Sequence, residues 1–505
     1  MCKRYINDIL REANIDLIAD IEHEKENNNS AFIISAPTGY GKSHYITTEF
    51  YEYCKNRGEK ILFLLPRSAP TEQFIKEIKN TGKNDIITVR TYQSITAAEQ
   101  LDYDYIICDE CHYFVTDSII NKGTDICFDL IYNSRAFKIY ISATIKPFLK
   151  VVFLHYASTF EIPIPAENTV ISDINFFSAY RKKVKKEIII DIMHHVQDKA
   201  IIFCDSAAMA KKIYKMKEFK DNSLFICSEY NDDCKDLMDK EKRQQLIETH
   251  RFDCKYLICT SALDVGFSIE DAAVKDIVCT YSPENWTTIM QSIGRKRQID
   301  KNDKATLHIR DFSQKQIEDM LTKNEGRFEH FKFYQQRGEL AYLKEYRKKP
   351  DKNQIMYFDY QDEGGTMQLR LKIDRFVCGF YEYQKEVLQN IQKCGSYSKY
   401  LKEQLRLSDS VVIRHKKKDE YKSSELMAIV EEGKIYTWDN LEELTKKMNV
   451  RNSKRELLKR VSSINKRLQE LGHPYEIRTT KDKDEHKLYQ LVIKKSLPFT
   501  GQAQP

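Results

Sequence analysis

Eight residues near the N-terminus, Ala36-Pro37-Thr38-Gly39-Tyr40-Gly41-Lys42-Ser43, place two glycines, a lysine and a hydroxyl at the spacing of a phosphate cradle. The apolar run Ala31 to Ser35 leads into them, and Tyr45 to Tyr53 reads as a helix behind them. A strand, a glycine-bearing loop and a helix in that order gather backbone N–H groups at a helix N-terminus, where they hold phosphate oxygens. Gly39 and Gly41, after Thr38, permit the turn and a close approach. Lys42 reaches terminal phosphates, and the Ser43 hydroxyl can complete the shell of a magnesium ion. A second apolar run, Tyr105 to Cys108, ends in Asp109-Glu110-Cys111-His112. Adjacent carboxylates at a strand end beside a phosphate site supply one group for the metal, Asp109, and one to orient and deprotonate an attacking water, Glu110. The chemistry implied is hydrolysis.

Those residues need a scaffold of buried strands. Candidate strands follow the cradle at Lys60 to Leu65, Ile86 to Arg90, Tyr103 to Cys108 and Lys138 to Ser142, with helical or loop segments between them. Short apolar runs alternating with helical patterns predict a parallel sheet covered on both faces, with ligands at the carboxyl ends of its strands. Residues 1 to 30 read as helical, with Ile6, Ile9, Leu10, Leu17, Ile18 and Ile21 on apolar faces. Pro66-Arg67 and Arg90-Thr91-Tyr92 stand at two strand ends, where such residues can hold a nucleic-acid backbone. A third end carries Ser142-Ala143-Thr144. From about residue 160 the alternation starts again, with runs at Ala200, Leu224, Tyr256, Asp276 and Ala305. This second unit has no cradle. It has Thr260 to Ile269 after one strand and Gln291-Ser292-Ile293-Gly294-Arg295-Lys296-Arg297-Gln298 in a predicted helix, a glutamine and guanidinium groups suited to phosphate.

In order and spacing these segments resemble the core of a superfamily 2 helicase of the DExH type. Ala36 to Ser43 looks like motif I, Pro66-Arg67 like motif Ia, and Arg90 to Ser94 like the neighbouring strand-binding motif. Asp109 to His112 looks like motif II, Ser142 to Thr144 like motif III, and Phe203 to Ser206 like motif IV. Thr260 to Ile269 and Gln291 to Arg297 look like motifs V and VI. The resemblance implies two tandem RecA-like domains of the P-loop NTPase class, with ATP and Mg2+ in the cleft between them. It implies Thr38, Gly39, Gly41, Lys42, Ser43, Asp109 and Gly266 as ATP-binding, with Ser43 and Asp109 holding the metal. Glu110, Gln291, Arg295 and Arg297 are implied as catalytic, and His112, Ser142 and Thr144 as coupling hydrolysis to motion. Pro66, Arg67, Arg90, Thr91 and Thr260 are implied as nucleic-acid contacts. Three departures stand out: Gln298 occupies the family's usual last arginine position while Arg297 stands one earlier, Ser268 replaces a common aspartate, and residues 1 to 43 contain no glutamine to read adenine.

At 505 residues the chain exceeds a single core. The expected division is 1–160 and 161–312 for the two RecA-like domains, 313–412 for a mostly helical insert, and 413–505 for a small C-terminal domain. Within the insert, Gln314 to Leu321, Phe328 to Tyr346 and Tyr381 to Leu405 read as helices around a hairpin, Ile355 to Tyr360 and Thr366 to Leu371, that turns at Gly364-Gly365. Its Tyr and Phe residues read chiefly as packing, base stacking being the alternative. In the last segment, helices at Glu425 to Val430, Asp439 to Met448 and Ser453 to Leu471 precede strands at Tyr475 to Arg478 and Lys487 to Ile493. The third helix buries Leu457, Val461, Ile464, Leu468 and Leu471 and presents Arg455, Lys459 and Lys466. That order resembles a winged helix-turn-helix, which implies a grip on duplex by its backbone.

Charge there fits a polyanion partner and, equally, a solvated basic face. Residues 414 to 495 hold 21 Lys+Arg against 14 Asp+Glu, a net +7, which leaves 60 against 61 for the rest of a chain of net charge +6. Hydrophobic content of 41% and charged content of 31%, with few Pro or Gly, describe a soluble globular protein. No apolar run approaches membrane-spanning length and no signal peptide is evident, so a cytoplasmic protein is expected. The 13 cysteines are odd in number and many lie in apolar runs, as free thiols in a reducing compartment do. The Cys108-Cys111 pair and His194-His195 lack partners at metal-site spacing. The expectation is therefore an ATP-dependent helicase or translocase, on DNA by preference because of the C-terminal segment. An RNA helicase and a DNA-binding ATP switch or replication initiator are the alternatives.

Overall fold

The computed structural model describes residues 5–27, 31–36, 39–66, 68–96, 101–121, 123–152, 157–162, 170–178, 189, 192–193, 196–228, 231–260, 268–300, 302–346, 349, 351–362, 367–407, 411–415, 436–438, 458, 460–470, 475–481 and 487–493. It divides into two compact units, one of residues 1–176 with 196–414, the other of residues 177–195 with 415–505.

The larger unit is built on two sheets. The first holds β1 (Ala31–Ser35), β2 (Ile61–Leu65), β3 (Ile87–Thr91), β4 (Tyr105–Asp109), β5 (Phe137–Ser142) and β6 (Ala157–Glu161) in the order β3-β2-β4-β5-β1-β6, all neighbours parallel. Ile61 to Leu65 and Tyr105 to Asp109 are buried throughout, which is why these strands read as unbroken apolar runs rather than alternating ones. Register aligns the strand ends that matter: Ser35 lies opposite Ser142, and Asp109 opposite Ile141. The cradle after β1 and the acidic pair after β4 thus flank the end of β5.

The second sheet adds β7 (Ile171–Ser178), β8 (Lys199–Phe203), β9 (Ser223–Ile226), β10 (Tyr256–Cys259), β11 (Val274–Cys279), β12 (Ala305–Asp311) and β15 (Val412–His415), ordered β15-β7-β12-β11-β8-β10-β9. Strands β12, β11, β8, β10 and β9 pair in parallel. Two tandem parallel α/β sheets are the architecture the sequence predicts. Strands β6, β7 and β15 were not expected.

Residues of the expected insert belong to the same unit as both sheets. The helix Arg375–Cys394 runs 20 residues, about 30 Å at 1.5 Å per residue. Asp374 caps it, accepting hydrogen bonds from the N–H groups of Phe376 and Val377 at 3.0 and 2.9 Å. At its start Phe376 enters the core of the first sheet, 5.3 Å from Phe128 and 6.2 Å from Phe114 between ring centroids. Further along, Tyr383, Val387, Leu388 and Ile391 join the core of the second sheet. One helix therefore carries apolar residues of both lobes. Among the described residues of the insert, Phe328, Tyr342, Phe376, Tyr381, Tyr383, Tyr397 and Tyr400 are buried in packing.

Two expected helices differ. The stretch Tyr381 to Leu405 is not continuous: the helix begins at Arg375 and ends at Cys394, because Gly395 takes φ +81° and Ser396 caps a new helix, Tyr397–Gln404, by accepting from Lys399 N–H at 3.2 Å. The helix Glu329–Tyr346 breaks at Gly338, φ +77°. Its halves meet through His330, Phe333, Tyr334, Tyr342 and Tyr346, with His330 Nδ1 2.9 Å from the Tyr342 hydroxyl. The hairpin forms with β13 (Met356–Asp362) antiparallel to β14 (Met367–Ile373); Gly364 and Gly365 lie outside the described residues.

In the smaller unit, β16 (Tyr436–Trp438), β17 (Tyr475–Lys481) and β18 (Lys487–Ile493) form an antiparallel sheet ordered β16-β18-β17. The helix Val461–Glu470 packs on β17. Asn465 fixes it there, donating to the Ile477 carbonyl at 2.9 Å and accepting from the Ile477 N–H at 2.7 Å. Ile464 is buried and Lys466 exposed, as expected for the two faces of that helix. The expected helices at 425–430 and 439–448, the capping pair Ser453 and Glu456, and Arg455 and Lys459 lie outside the described residues.

Candidate active site

Gly39 at φ +90° and Gly41 at φ +73° turn the chain from β1 into the helix Lys42–Tyr45, a conformation that side chains on Cβ resist. Gly41 is also packed closely. Tyr5 lies over it, so that a Cβ at position 41 would stand 2.2 Å from the Tyr5 ring, and the ring meets His44 at 4.6 Å between centroids. The Ile6 N–H donates to the Tyr40 carbonyl at 2.7 Å. Nothing in the sequence pattern marked Tyr5. Lys42 is buried, its ammonium donating to the Ala36 carbonyl at 3.2 Å and standing 3.9 Å from Glu110 Oε1.

Glu110 takes φ +50°, a strained value for a side chain on Cβ, directly after the last residue of β4. Its N–H donates to Asp109 Oδ1 at 3.0 Å, while its Oε2 is buried and makes no hydrogen bond. Burial alone would raise the Glu110 carboxyl, but Lys42, then His112, then Arg295 outweigh it and hold the group well below the usual carboxylate range. Asp109 goes the other way, pushed up to about 6 by burial and by the negative charge of Glu110. Two buried carboxylates side by side, one of them destabilised as an anion, form a set of hard oxygen donors that a divalent cation would relieve. The chemistry of these residues fits Mg2+, which the Asp109 carboxylate, together with the Ser43 hydroxyl, would hold. Such an ion neutralises phosphate charge.

A path of polar contacts, hydrogen-bonded from His112 onward, leads from this pair to the second sheet. His112 Nδ1 lies 3.4 Å from Glu110 Oε2 and 2.9 Å from the Ser142 hydroxyl. Ser142 Oγ accepts from the Thr144 N–H at 3.0 Å, and Thr144 Oγ1 accepts from Gln291 Nε2 at 3.2 Å. Gln291 Oε1 in turn accepts from Arg295 Nη2 at 2.7 Å. Gln291 sits on the helix Trp286–Ile293 of the second lobe, so the path crosses the cleft.

Arg297 closes the same cleft. A Cβ on Gly39 would lie 2.7 Å from its Nη1. Its guanidinium donates through Nε to the Ser268 hydroxyl at 3.3 Å and through Nη1 to the Gly294 carbonyl at 2.6 Å. Burial and neighbouring Arg295 push its pKa down to about 9, so it remains cationic at neutral pH. The arginine that stands one position early in sequence thus reaches the cradle, and Ser268, the other departure, holds it. Of the expected ATP-binding residues, Thr38 and Gly266 lie outside the described residues.

Among the expected nucleic-acid contacts, Arg90, Thr91 and Thr260 are half-buried. Pro66 is buried and its carbonyl accepts from Gln93 Nε2 at 3.1 Å. Arg90 folds back on its own turn, donating to the Ser94 hydroxyl at 3.1 Å and to the Ser94 carbonyl, while Ser94 Oγ donates to the Thr91 carbonyl at 2.7 Å. Thr260 follows β10, its N–H 3.4 Å from the Ile226 carbonyl; Arg67 lies outside the described residues. Tyr92, expected from the sequence beside Arg90 and Thr91 at a nucleic-acid contact, instead ties this edge to the acidic pair. It is fully buried, stacks on Tyr113 at 4.9 Å, and donates its hydroxyl to the Asp109 carbonyl at 2.8 Å. An aromatic next to a strand end was the only available signal. Cys108 and Cys111 are buried, and burial pushes both thiols well above their ordinary range.

Comparison with known proteins finds two family models along the chain. Residues 7–147 match the family model of the Type III restriction enzyme res subunit, and residues 182–299 match the helicase conserved C-terminal domain. No curated protein matches the chain significantly. Among solved structures, S. cerevisiae Dbp5 bound to RNA and ADP BeF3 is similar at 14% identity and a TM-score of 0.42, over 59% of this chain and 83% of that one. The Escherichia coli DEAH/RHA helicase HrpB is similar at 12% identity and a TM-score of 0.40, over 60% of this chain and 43% of that one. A DEAD box protein from Methanococcus jannaschii follows at 17% identity and a TM-score of 0.30, over 56% and 83%. With the two family matches in tandem on two parallel sheets, residues 7–299 carry the core of a superfamily 2 helicase.

Proposed function

We propose that the chain hydrolyses ATP with Mg2+ as a DExH-type helicase or translocase, and that its nucleic acid is DNA. The observation that carries the chemistry is the cross-cleft path from Glu110 through His112, Ser142, Thr144 and Gln291 to Arg295. In this reading Lys42 and the N–H groups at Gly39 to Ser43 hold the triphosphate, and Glu110 takes the proton of the attacking water. Glu110 suits that role because its carboxyl stays ionised and keeps one oxygen without a hydrogen bond. Arg295 and Arg297 approach the transferring phosphoryl from the second lobe. His112, Ser142 and Thr144 transmit the change, because Thr144 takes its partner Gln291 from the second lobe and Ser142 and His112 link Thr144 back to Glu110.

Nucleic acid would lie across the ends of the strands, near Pro66, Arg67, Arg90, Thr91 and Thr260. Preference for DNA rests on the C-terminal segment: its charge excess of 21 basic against 14 acidic residues, exposed Lys466, and a helix docked on a strand in the manner of a winged helix. A cytoplasmic setting accords with the free state of all twelve described cysteines.

The test is ATP turnover by the full chain alone and with single-stranded DNA, duplex DNA or RNA. Stimulation by DNA is expected, and stimulation by RNA alone would replace the substrate. Glu110→Gln should lower turnover by about 10² to 10⁴-fold while ATP still binds. Near-normal turnover by that variant would end the proposed mechanism.

A further inference from the structure

The segment after Gly294 buries a charge pair that no phosphate contact calls for. The side chains of Lys296 and Asp303 are both fully buried and paired with each other. Lys296 Nζ also donates to the Arg297 carbonyl at 2.9 Å. Asp303 Oδ2 accepts in addition from the Ile299 N–H at 3.0 Å, and its Oδ1 lies 3.9 Å from the Lys275 ammonium. From the other side Ile269 grips the same stretch: its N–H donates to the Arg295 carbonyl at 2.8 Å and its carbonyl accepts from the Arg297 N–H at 2.9 Å.

Stability does not account for this pair. Removing two charges from water costs several kcal/mol per ion, and apolar residues of similar volume commonly serve a core as well or better. Its geometric consequence is specific. Around a parallel bridge, neighbouring side chains alternate in direction, so residues 295 and 297 fall on one face and Lys296 on the other. With Lys296 anchored inward on Asp303, both arginines face the cleft. The Arg297 N–H and carbonyl are both taken, one by Ile269 and one by Lys296, which fixes the origin of its side chain opposite Gly39.

We propose that the buried Lys296–Asp303 pair is a positioning device for Arg297, setting the register that lets an arginine one place early reach the phosphate cradle. The inference rests on the ATPase reading, and it makes Asp303 and Lys296 parts of one arrangement with two of the sequence departures, the early Arg297 and Ser268. Neither Asp303 nor Lys296 is a catalytic residue here; each acts through the Arg297 main chain.

Steady-state ATP hydrolysis by the full chain tests it. Asp303→Asn should lower kcat by up to about 100-fold with KM for ATP within about twofold, because misplacing a group by an ångström has that effect. In an Arg297→Ala background the same substitution should change kcat by no more than about twofold, since its target is gone. The Lys296→Met, Asp303→Leu double variant should melt near the wild-type temperature yet keep the low kcat. Multiplicative losses with Arg297→Ala, or full kcat in the apolar double variant, would overturn the proposal. Amide exchange supplies a readout free of turnover: residues 294 to 300 should exchange faster in Asp303→Asn while the amides of β12 do not. Unchanged exchange at 294 to 300 overturns the positioning role whatever the enzyme does. A wild-type chain without ATPase activity would refute the enzymatic reading, and the exchange data would then decide the positioning role.

Discussion

The helix Arg375–Cys394 can be unseated at one point, and the outcome can be worked from the geometry. Gly379 lies against Val151, so a Cβ added there would meet Val151 Cγ2 at 2.0 Å, with Val151 Cβ at 3.4 Å and Cα at 3.8 Å. In a helix interior, Gly→Ala is worth about 1 kcal/mol of stabilisation. Overpacking of a closed contact costs about 1 to 3 kcal/mol. Gly379→Ala should therefore be neutral to destabilising by about 2 kcal/mol. Val151→Ala removes the methyl that clashes, and in that background Gly379→Ala should stabilise by about 1 kcal/mol. The sign reversal, a coupling of about 1 to 3 kcal/mol, is read from urea unfolding of the four proteins of the cycle. ATP turnover follows the same order, because a displaced helix disturbs cores on both sides of the cleft. If Gly379→Ala stabilised the wild-type background by the full helix-propensity increment, the seat on Val151 would not exist and the helix would not bridge the lobes as described.

Two further outcomes are expected. Arg297→Ala should lower turnover by about 10³-fold or more with ATP affinity little changed, whereas a loss confined to Arg295→Ala would move the whole role to that residue. Binding of duplex DNA by the full chain should weaken with salt at a log-log slope of about −0.9 per phosphate neutralised, and replacing Arg455, Lys459 and Lys466 together should flatten it by roughly two to three units. An unaltered slope in the triple variant would remove that helix from the interface, and with it the reason for preferring DNA.

The strands beside the cradle were legible because a strand buried on both faces writes itself as an uninterrupted apolar run, and Ile61 to Leu65 and Tyr105 to Cys108 have the length of strands rather than helices. Gly39 and Gly41 were legible because the turn needs positive φ at both. Less legible was anything whose meaning depends on a distant partner. Tyr5 and Tyr92 look like any aromatic near an element end, yet one lies over Gly41 and the other holds the Asp109 carbonyl. Asp303 reads as a loop acid until it is found fully buried on Lys296. The role of the insert was invisible for the same reason. The periodicity of Arg375–Cys394 shows an apolar face, but not that Phe376 and Val387 serve different cores.

Coupling between chemistry and motion follows from where the charges are buried. Lys42, Asp109, His112, Gln291 and Arg295 are all buried, and the partners that compensate them come from both lobes. Opening the cleft would exchange those partners for water, an exchange whose net free energy is small because each hydrogen bond lost to protein is regained from solvent. In the proposed mechanism a bound triphosphate acts on that small difference: its negative charge favours the state in which Lys42, Arg295 and Arg297 converge, and its loss leaves three cations facing Glu110 and Asp109, with Glu270 acting on Arg297. The apolar helix that spans the lobes adds a term of the opposite kind, independent of ligand and insensitive to salt. In the proposed mechanism closure is held by packing and switched by charge. On that account, weakening the helix should make turnover more dependent on nucleic acid to bring the lobes together, while weakening Arg297 should lower turnover equally with and without it.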